Sequence, residues 1–157
     1  MTQVVRIEQP GGPEQMKLVQ VDVGEPGPNE VQVRHHAIGL NYIDIYQRSG
    51  LYSLPLPLTL GMEGAGVVEA IGRDVHHLAL GDRVAYASQP PGSYSELRNL
   101  PATSVCQLPD AIDFETGAAM MLKGLTAQYL LRKTLPAGGL EALSLIHISE
   151  PTRQEAI

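Results

Sequence analysis

Two tyrosines, Tyr46 and Tyr52, stand close together in a stretch that could hold a small flat ligand. A phenol can donate to an oxygen that gains negative charge while its ring packs on a planar partner. The bland alternative is two aromatics covering the mouth of a barrel. Six tyrosines against one phenylalanine and no tryptophan favour the polar-tipped role slightly. Just before them runs Asn41-Tyr42-Ile43-Asp44-Ile45-Tyr46. Asn41 there can cap a helix, touch a ligand, or do both. Far along the chain, Lys123-Gly124-Leu125-Thr126-Ala127-Gln128-Tyr129 offers a cation for phosphate, with Thr126 and Tyr129 three apart on one helical face. Its alternative is a solvated lysine and a core tyrosine.

Other chemistry is argued against. A dinucleotide turn needs G-x-G-x-x-G between a strand and a helix. The nearest string, Gly61-Met62-Glu63-Gly64-Ala65-Gly66, has its glycines in another order and leads into a strand, so it reads as backbone crowding at a barrel bend. His35 and His36 are neighbours on a strand and point to opposite faces, so they cannot chelate one ion. His76-His77 falls in a turn, where solvated histidines are ordinary. Glu63 is expected to make a structural hydrogen bond or ion pair. No Ser-His-Asp spacing is defensible. The single cysteine, Cys106 in Val105-Cys106-Gln107-Leu108, excludes an internal disulfide and is expected as a small buried hydrophobe.

Net charge −6 and a pI near 5.3 leave no basic stripe for nucleic acid or an anionic membrane. No apolar run reaches a membrane span and no signal-type segment follows Met1, so a soluble, cytoplasmic protein is expected. With 157 residues the chain can bury a core of its own.

The elements that must position these groups are short strands broken by Gly and Pro turns: 4–7, 16–21, 31–38, 67–71, 83–86, 94–99 and 105–108. Regular spacing of this kind argues for a sandwich or barrel. The buried face of the second strand is ambiguous, because Met16, Leu18 and Gln20 alternate imperfectly with Lys17, Val19 and Val21. Asn41 as N-cap, Asp44 at the third helical position and Gly50 at the close predict a short helix over 41–48. From Asp113 a helical pattern runs through Leu122. Gly124 is expected to interrupt it before a second helical face of Leu125, Tyr129, Leu130 and Leu131, closed by Pro136 and paired glycines.

Gly39 to Tyr46, Arg48 to Tyr52, Gly61 to Val68, Gly81-Asp82-Arg83-Val84 and Lys123 to Thr134 recur in an order that resembles the medium-chain dehydrogenase/reductase superfamily. Where its zinc enzymes carry Cys and His ligands this chain has Asn41 and Met62, and an amide and a thioether make a poor zinc site. The resemblance is therefore to the zinc-free branch, quinone oxidoreductases of the zeta-crystallin type, with no metal. It implies a mainly β fold with α: a GroES-like, partly open β-barrel over residues 1–112, followed by linking helices over 113–142 that lead toward a Rossmann domain. The strand and Gly-rich turn of that domain are missing, so an N-terminal fragment, itself inactive, is expected. Residues 143–157 are expected to be a non-native tail, because Leu143 to Arg153 resembles a translated sequencing adapter.

The resemblance also implies NADPH as cofactor, a quinone as substrate and a homodimer when full length. It places Asn41, Tyr42, Ile43, Asp44, Ile45 and Tyr46 at the nicotinamide–ribose end and Lys123, Thr126 and Tyr129 as cofactor contacts from the helices. Tyr46 and Tyr52 become the substrate residues. A zinc-free enone or alkenal reductase and a non-catalytic binding barrel are the alternatives.

Overall fold

A computed structural model describes residues 1–134 of the chain. The expected helix end at Pro136 and the tail over 143–157 lie outside the described residues. Two sheets carry the fold. The first has the order β2-β1-β4, from β1 (Thr2–Ile7), β2 (Lys17–Val21) and β4 (Leu58–Thr59). The second has the order β7-β3-β5-β6-β8, from β3 (Glu30–Gly39), β5 (Glu63–Ile71), β6 (Arg83–Ala87), β7 (Leu97–Pro101) and β8 (Val105–Gln107). All pairings are antiparallel.

Alternation explains most of the strands. In β1, Thr2, Val4 and Ile7 turn inward. The ambiguity of β2 resolves with Val19 and Val21 partly covered and Leu18 facing solvent. Val31 and Val33 of β3, Val68 of β5, Val84 and Tyr86 of β6 and Leu100 of β7 form the main core. Each side chain of this size contributes about 1.5–3 kcal/mol by leaving water.

Two strand boundaries differ from expectation, for different reasons. β5 begins at Glu63, so Gly64 and Gly66 belong to the ladder, while Gly61 stands in the bend before it with φ 97°, where a Cβ would overlap Ser93 and Tyr94. Gly66 pairs with His35 beside a register shift in β3, and a Cβ there would overlap the Arg34 carbonyl. At Gly66 the crowding lies between strands. β7 begins only at Leu97, because Tyr94, Ser95 and Glu96 bridge the two sheets instead. The N–H of Val5 donates to the Tyr94 carbonyl (2.8 Å), that of Glu96 to Gln3 (3.0 Å) and that of His35 to Glu96 (2.9 Å). This bridge turns two sheets into a partly open barrel.

The helix α1 (Tyr42–Ser49) has Asn41 at its N-cap and ends at Gly50 with φ 85°. The helix α2 (Phe114–Tyr129) starts after Asp113, whose Oδ1 accepts the Thr116 N–H at 2.7 Å. Ala118 and Met121 pack with Ala65, Ala85 and Leu108 of the second sheet. Contrary to expectation, α2 runs unbroken through Gly124 and continues into a π-type turn over Leu130–Thr134. A lone glycine costs a helix only about 1 kcal/mol, too little to break one. The chain divides after Leu122 into two compact units. In the second unit Leu125, Tyr129, Leu130 and Leu131 are exposed. No helix among the described residues is long and apolar enough to cross a membrane.

Candidate functional site

The first turn of α1 is held by its own carboxylate. Asp44 is buried, and its Oδ2 accepts the Asn41 N–H at 2.9 Å and the Tyr94 hydroxyl at 2.9 Å. Burial, together with the negative Asp44 beside it, holds the Tyr94 phenol well above its usual range, so Tyr94 stays a donor. Asp44 thus faces the protein interior and not the open side of α1.

Asn41 occupies the cap position, and its side chain has a second use. Its Nδ2 donates to Glu63 Oε1 at 2.7 Å, while Glu63 Oε2 accepts the main-chain N–H of Leu122 at 2.6 Å. The structural hydrogen bond expected of Glu63 is present, with partners the sequence did not indicate. Gly39 makes the junction possible, because a Cβ there would overlap the Glu63 side chain and the Ala118 carbonyl.

The open side of α1 is aromatic. Tyr42 is 77% exposed, Tyr46 37% and Tyr52 51%, with Ile45 and Leu51 beside them and Ile43 half-buried. The Tyr46 and Tyr52 rings meet edge to face, 5.5 Å apart and inclined by 70°. The Tyr52 N–H donates to the Tyr46 carbonyl at 3.1 Å, so the loop after α1 is tied back onto the helix. The structure thus brings Tyr46 and Tyr52 together, with Asn41 at the helix cap and Tyr42 and Ile45 on the helix itself. Beneath them Gln47 is buried, with Nε2 at 3.6 Å from Met62 Sδ. A cavity of 190 Å³ lies against α1 between Met16, Leu40, Ile45, Leu60 and Tyr94. Lys123, Thr126 and Tyr129 belong to the second unit, where all three are exposed along α2; Tyr129 is not the core residue of the bland reading.

A second polar cluster lies in the barrel interior. His35 Nδ1 faces the Ser95 carbonyl at 2.7 Å, so that nitrogen carries the proton. Its Nε2 then accepts from the Tyr86 hydroxyl (2.7 Å), which in turn accepts from Arg98 Nη1 (3.4 Å). Burial lowers the His35 pKa to about 4, with the Arg98 charge acting in the same direction. His36 stacks on Phe114 at 4.4 Å, so the two histidines do point apart. His77 reaches the Ala102 carbonyl at 3.2 Å. Cys106 corrects its expectation: it lies on the exposed side of edge strand β8, its thiol donating to the Ala85 carbonyl at 3.2 Å. Partial desolvation raises that thiol above its usual range, away from a nucleophile's. Among the described residues no three His, Cys, Asp or Glu side chains gather as a metal ion would require.

Three contributors escaped the sequence reading. Tyr94 falls in an expected strand, Gln47 carries no signal of its own within the α1 segment, and Leu122 acts through its main chain. Only Tyr94 left a signal, as an aromatic beside Gly92-Ser93 in a segment with poor alternation.

Residues 27–133 match the family model described as the alcohol dehydrogenase GroES-like domain. A quinone oxidoreductase of Pseudomonas aeruginosa is 57% identical over 134 residues, covering 85% of this chain and 41% of that protein. A 2-haloacrylate reductase of a Burkholderia species is 40% identical, covering 85% and 42%. The structure of Escherichia coli quinone oxidoreductase complexed with NADPH superposes with a TM-score of 0.82 at 48% identity, covering 84% and 41%. The chain spans about two fifths of the length of these relatives.

Proposed function

The chain belongs to the alcohol dehydrogenase GroES-like domain family, and from that premise we propose that it is the barrel part of an NADPH-dependent quinone oxidoreductase. The observation that carries the reading is the half-exposed Tyr46–Tyr52 pair, formed by α1 and the loop tied back onto it, on a helix whose cap and first turn are held from beneath. Such a shelf is flat, aromatic and tipped with two phenols, which suits a quinone ring and its oxygens. The cofactor's nicotinamide–ribose end fits the same face: Tyr42 and Ile45 offer apolar contact, and Asn41 adds an amide at the helix cap. Ile43 is half-covered behind them, and Asp44 serves the site by capping α1. Lys123, Thr126 and Tyr129 are the proposed contacts along α2. The described residues hold no glycine turn for a pyrophosphate, so this chain alone is inactive in our reading.

When bound, NADPH supplies the hydride. The residues of this chain orient the quinone on the Tyr46–Tyr52 shelf, exclude water from its ring, and donate a phenolic hydrogen bond to the oxygen that gains charge. Tyr52 is the proposed donor, since its ring is the more exposed of the pair. No metal enters the scheme. The whole protein is proposed to be a cytoplasmic homodimer.

The test joins residues 1–142 to the remaining part of the Pseudomonas relative and follows NADPH oxidation with 1,4-quinones. Turnover is expected from the joined protein and not from the chain alone. A folded joined protein that turns over no quinone refutes the proposal. The likeness to a 2-haloacrylate reductase favours one second reading, reduction of a conjugated carbon–carbon double bond. Turnover with α,β-unsaturated carbonyls in place of quinones would select it.

A further inference from the structure

The 190 Å³ cavity against α1 has no part in the proposed reaction, and its walls have a chemistry of their own. On the helix it is lined by Ile45 and Arg48, three apart on one face, with Asp44 beside them. None of Tyr42, Tyr46 and Tyr52 lines it, so it is separate from the tyrosine shelf. Leu60 in its wall is buried, whereas Ile45 and Leu40 are exposed, so the cavity opens past the latter two. Met16 and Tyr94 complete it.

Size and wall chemistry narrow the occupant. A dry apolar cavity of about 150 Å³ holds benzene, so a space of 190 Å³ takes one ring with a small substituent. A thioether, a phenol ring and a guanidinium line one space, and each favours an aromatic ring over an alkyl group. The Arg48 Nε is shut from water and has no hydrogen-bond partner. The face of an aromatic ring is the uncharged, electron-rich neighbour that such a cation lacks. An anion fits badly. Asp44 is a buried carboxylate in the same wall, already accepting from the Asn41 N–H and the Tyr94 hydroxyl. A second negative charge beside it would be repelled strongly away from water. Met16, Leu40, Ile45 and Leu60 offer nothing to replace the water an ion would give up.

We propose that this cavity is a binding site for a neutral, single-ring aromatic compound of the phenol class. Such a site stands whether or not the shelf takes a quinone. The probe is phenol at neutral pH, titrated into the chain and followed by methyl and aromatic NMR. Cyclohexanol keeps its size and hydroxyl and loses the π-system; benzoate keeps the ring and adds a charge. Phenol should shift the methyl signals of Met16, Ile45 and Leu60 saturably, with a Kd of about 1 mM or below. Cyclohexanol should bind about threefold to tenfold more weakly, and benzoate about tenfold or more. Leu40→Trp sets a ring across the open side at an exposed position, and Met16→Phe fills the space from its wall. Each should weaken phenol binding about tenfold with the melting temperature kept. A response to phenol that does not saturate overturns the site, as do shifts larger at Tyr46 and Tyr52 than at Met16 and Leu60. Equal binding of cyclohexanol or benzoate overturns the ligand class. Undiminished phenol binding by folded Leu40→Trp overturns the site even where Met16→Phe fails to fold.

Discussion

Acid should weaken this barrel through one buried histidine before its carboxylates respond. His35 has its Nδ1–H on the Ser95 carbonyl and takes the Tyr86 hydroxyl at Nε2, so a second proton must displace that hydroxyl's donation, beside the Arg98 charge. In the unfolded chain His35 would take a proton near pH 6.5, whereas in the fold it does so only near 4. Folded pKa below unfolded pKa means that the stabilisation is complete above pH 6.5 and is lost progressively as pH falls toward 4. A difference of about 2.5 units corresponds to about 3 kcal/mol once the window is crossed, and to about 2 kcal/mol by pH 5. Part of the His35 surface meets solvent, so 1–2 kcal/mol is the working value of about that size at pH 5. The assay is urea unfolding at intervals from pH 7.5 to 5, on the protein and on His35→Gln, which cannot titrate. The gap between the two stability curves should close by this amount on going from pH 7.5 to 5. Parallel curves, or a His35 ring that titrates near 6.5 by NMR in the folded protein, would refute the reasoning. The lowered carboxyls of Asp82 and Asp113 act only at lower pH, where carboxylates take up protons, and so leave this window clear.

Tyr94→Phe removes the hydroxyl from Asp44 while leaving the Asn41 N–H in place; urea unfolding at neutral pH should show a loss of about 1–2 kcal/mol. Tyr52→Phe in the joined protein should lower kcat/KM for quinones about tenfold or more with the affinity for NADPH retained, measured by steady-state turnover and fluorescence titration. Two glycine substitutions should act in opposite senses. Gly124→Ala meets nothing within 4 Å in the middle of a helix and should raise helix stability by about 0.5–1 kcal/mol. Gly66→Ala meets the Arg34 carbonyl and should prevent soluble folding, read out by circular dichroism and gel filtration.

What was legible in the sequence was local. The α1 cap could be read because its cap residue, third position and closing glycine are spaced by the helix itself. The tyrosine pair was legible as chemistry, while its edge-to-face geometry depends on the Tyr52 N–H turning back to the Tyr46 carbonyl. The start of β5 was hidden, since a glycine run carries no side-chain alternation and its pairing is set by an irregularity in another strand. Cys106 departs from expectation because Val105-Cys106-Gln107 reads as a covered run but forms an edge strand. On an edge strand it alternates, with Val105 inward and Cys106 outward. Gly124 was overweighted as a breaker. Asp44 was legible as the third position of the cap, where its carboxylate accepts the Asn41 N–H, while its second partner, the Tyr94 hydroxyl, lies fifty residues away and left no local signal.

The link from Glu63 to α2 ends on a main-chain N–H, and that has a consequence for how this protein can diverge. Every amino acid except proline supplies that hydrogen, so position 122 can change its side chain without loosening the bond. The constraint falls on residue 63 alone, at one end of a contact whose other end leaves no mark on sequence. Neither co-variation nor a search for matched charges would find it. Drift at 122 should therefore be free up to the one substitution that removes the donor, and that substitution should damage the α1 cap from across the fold.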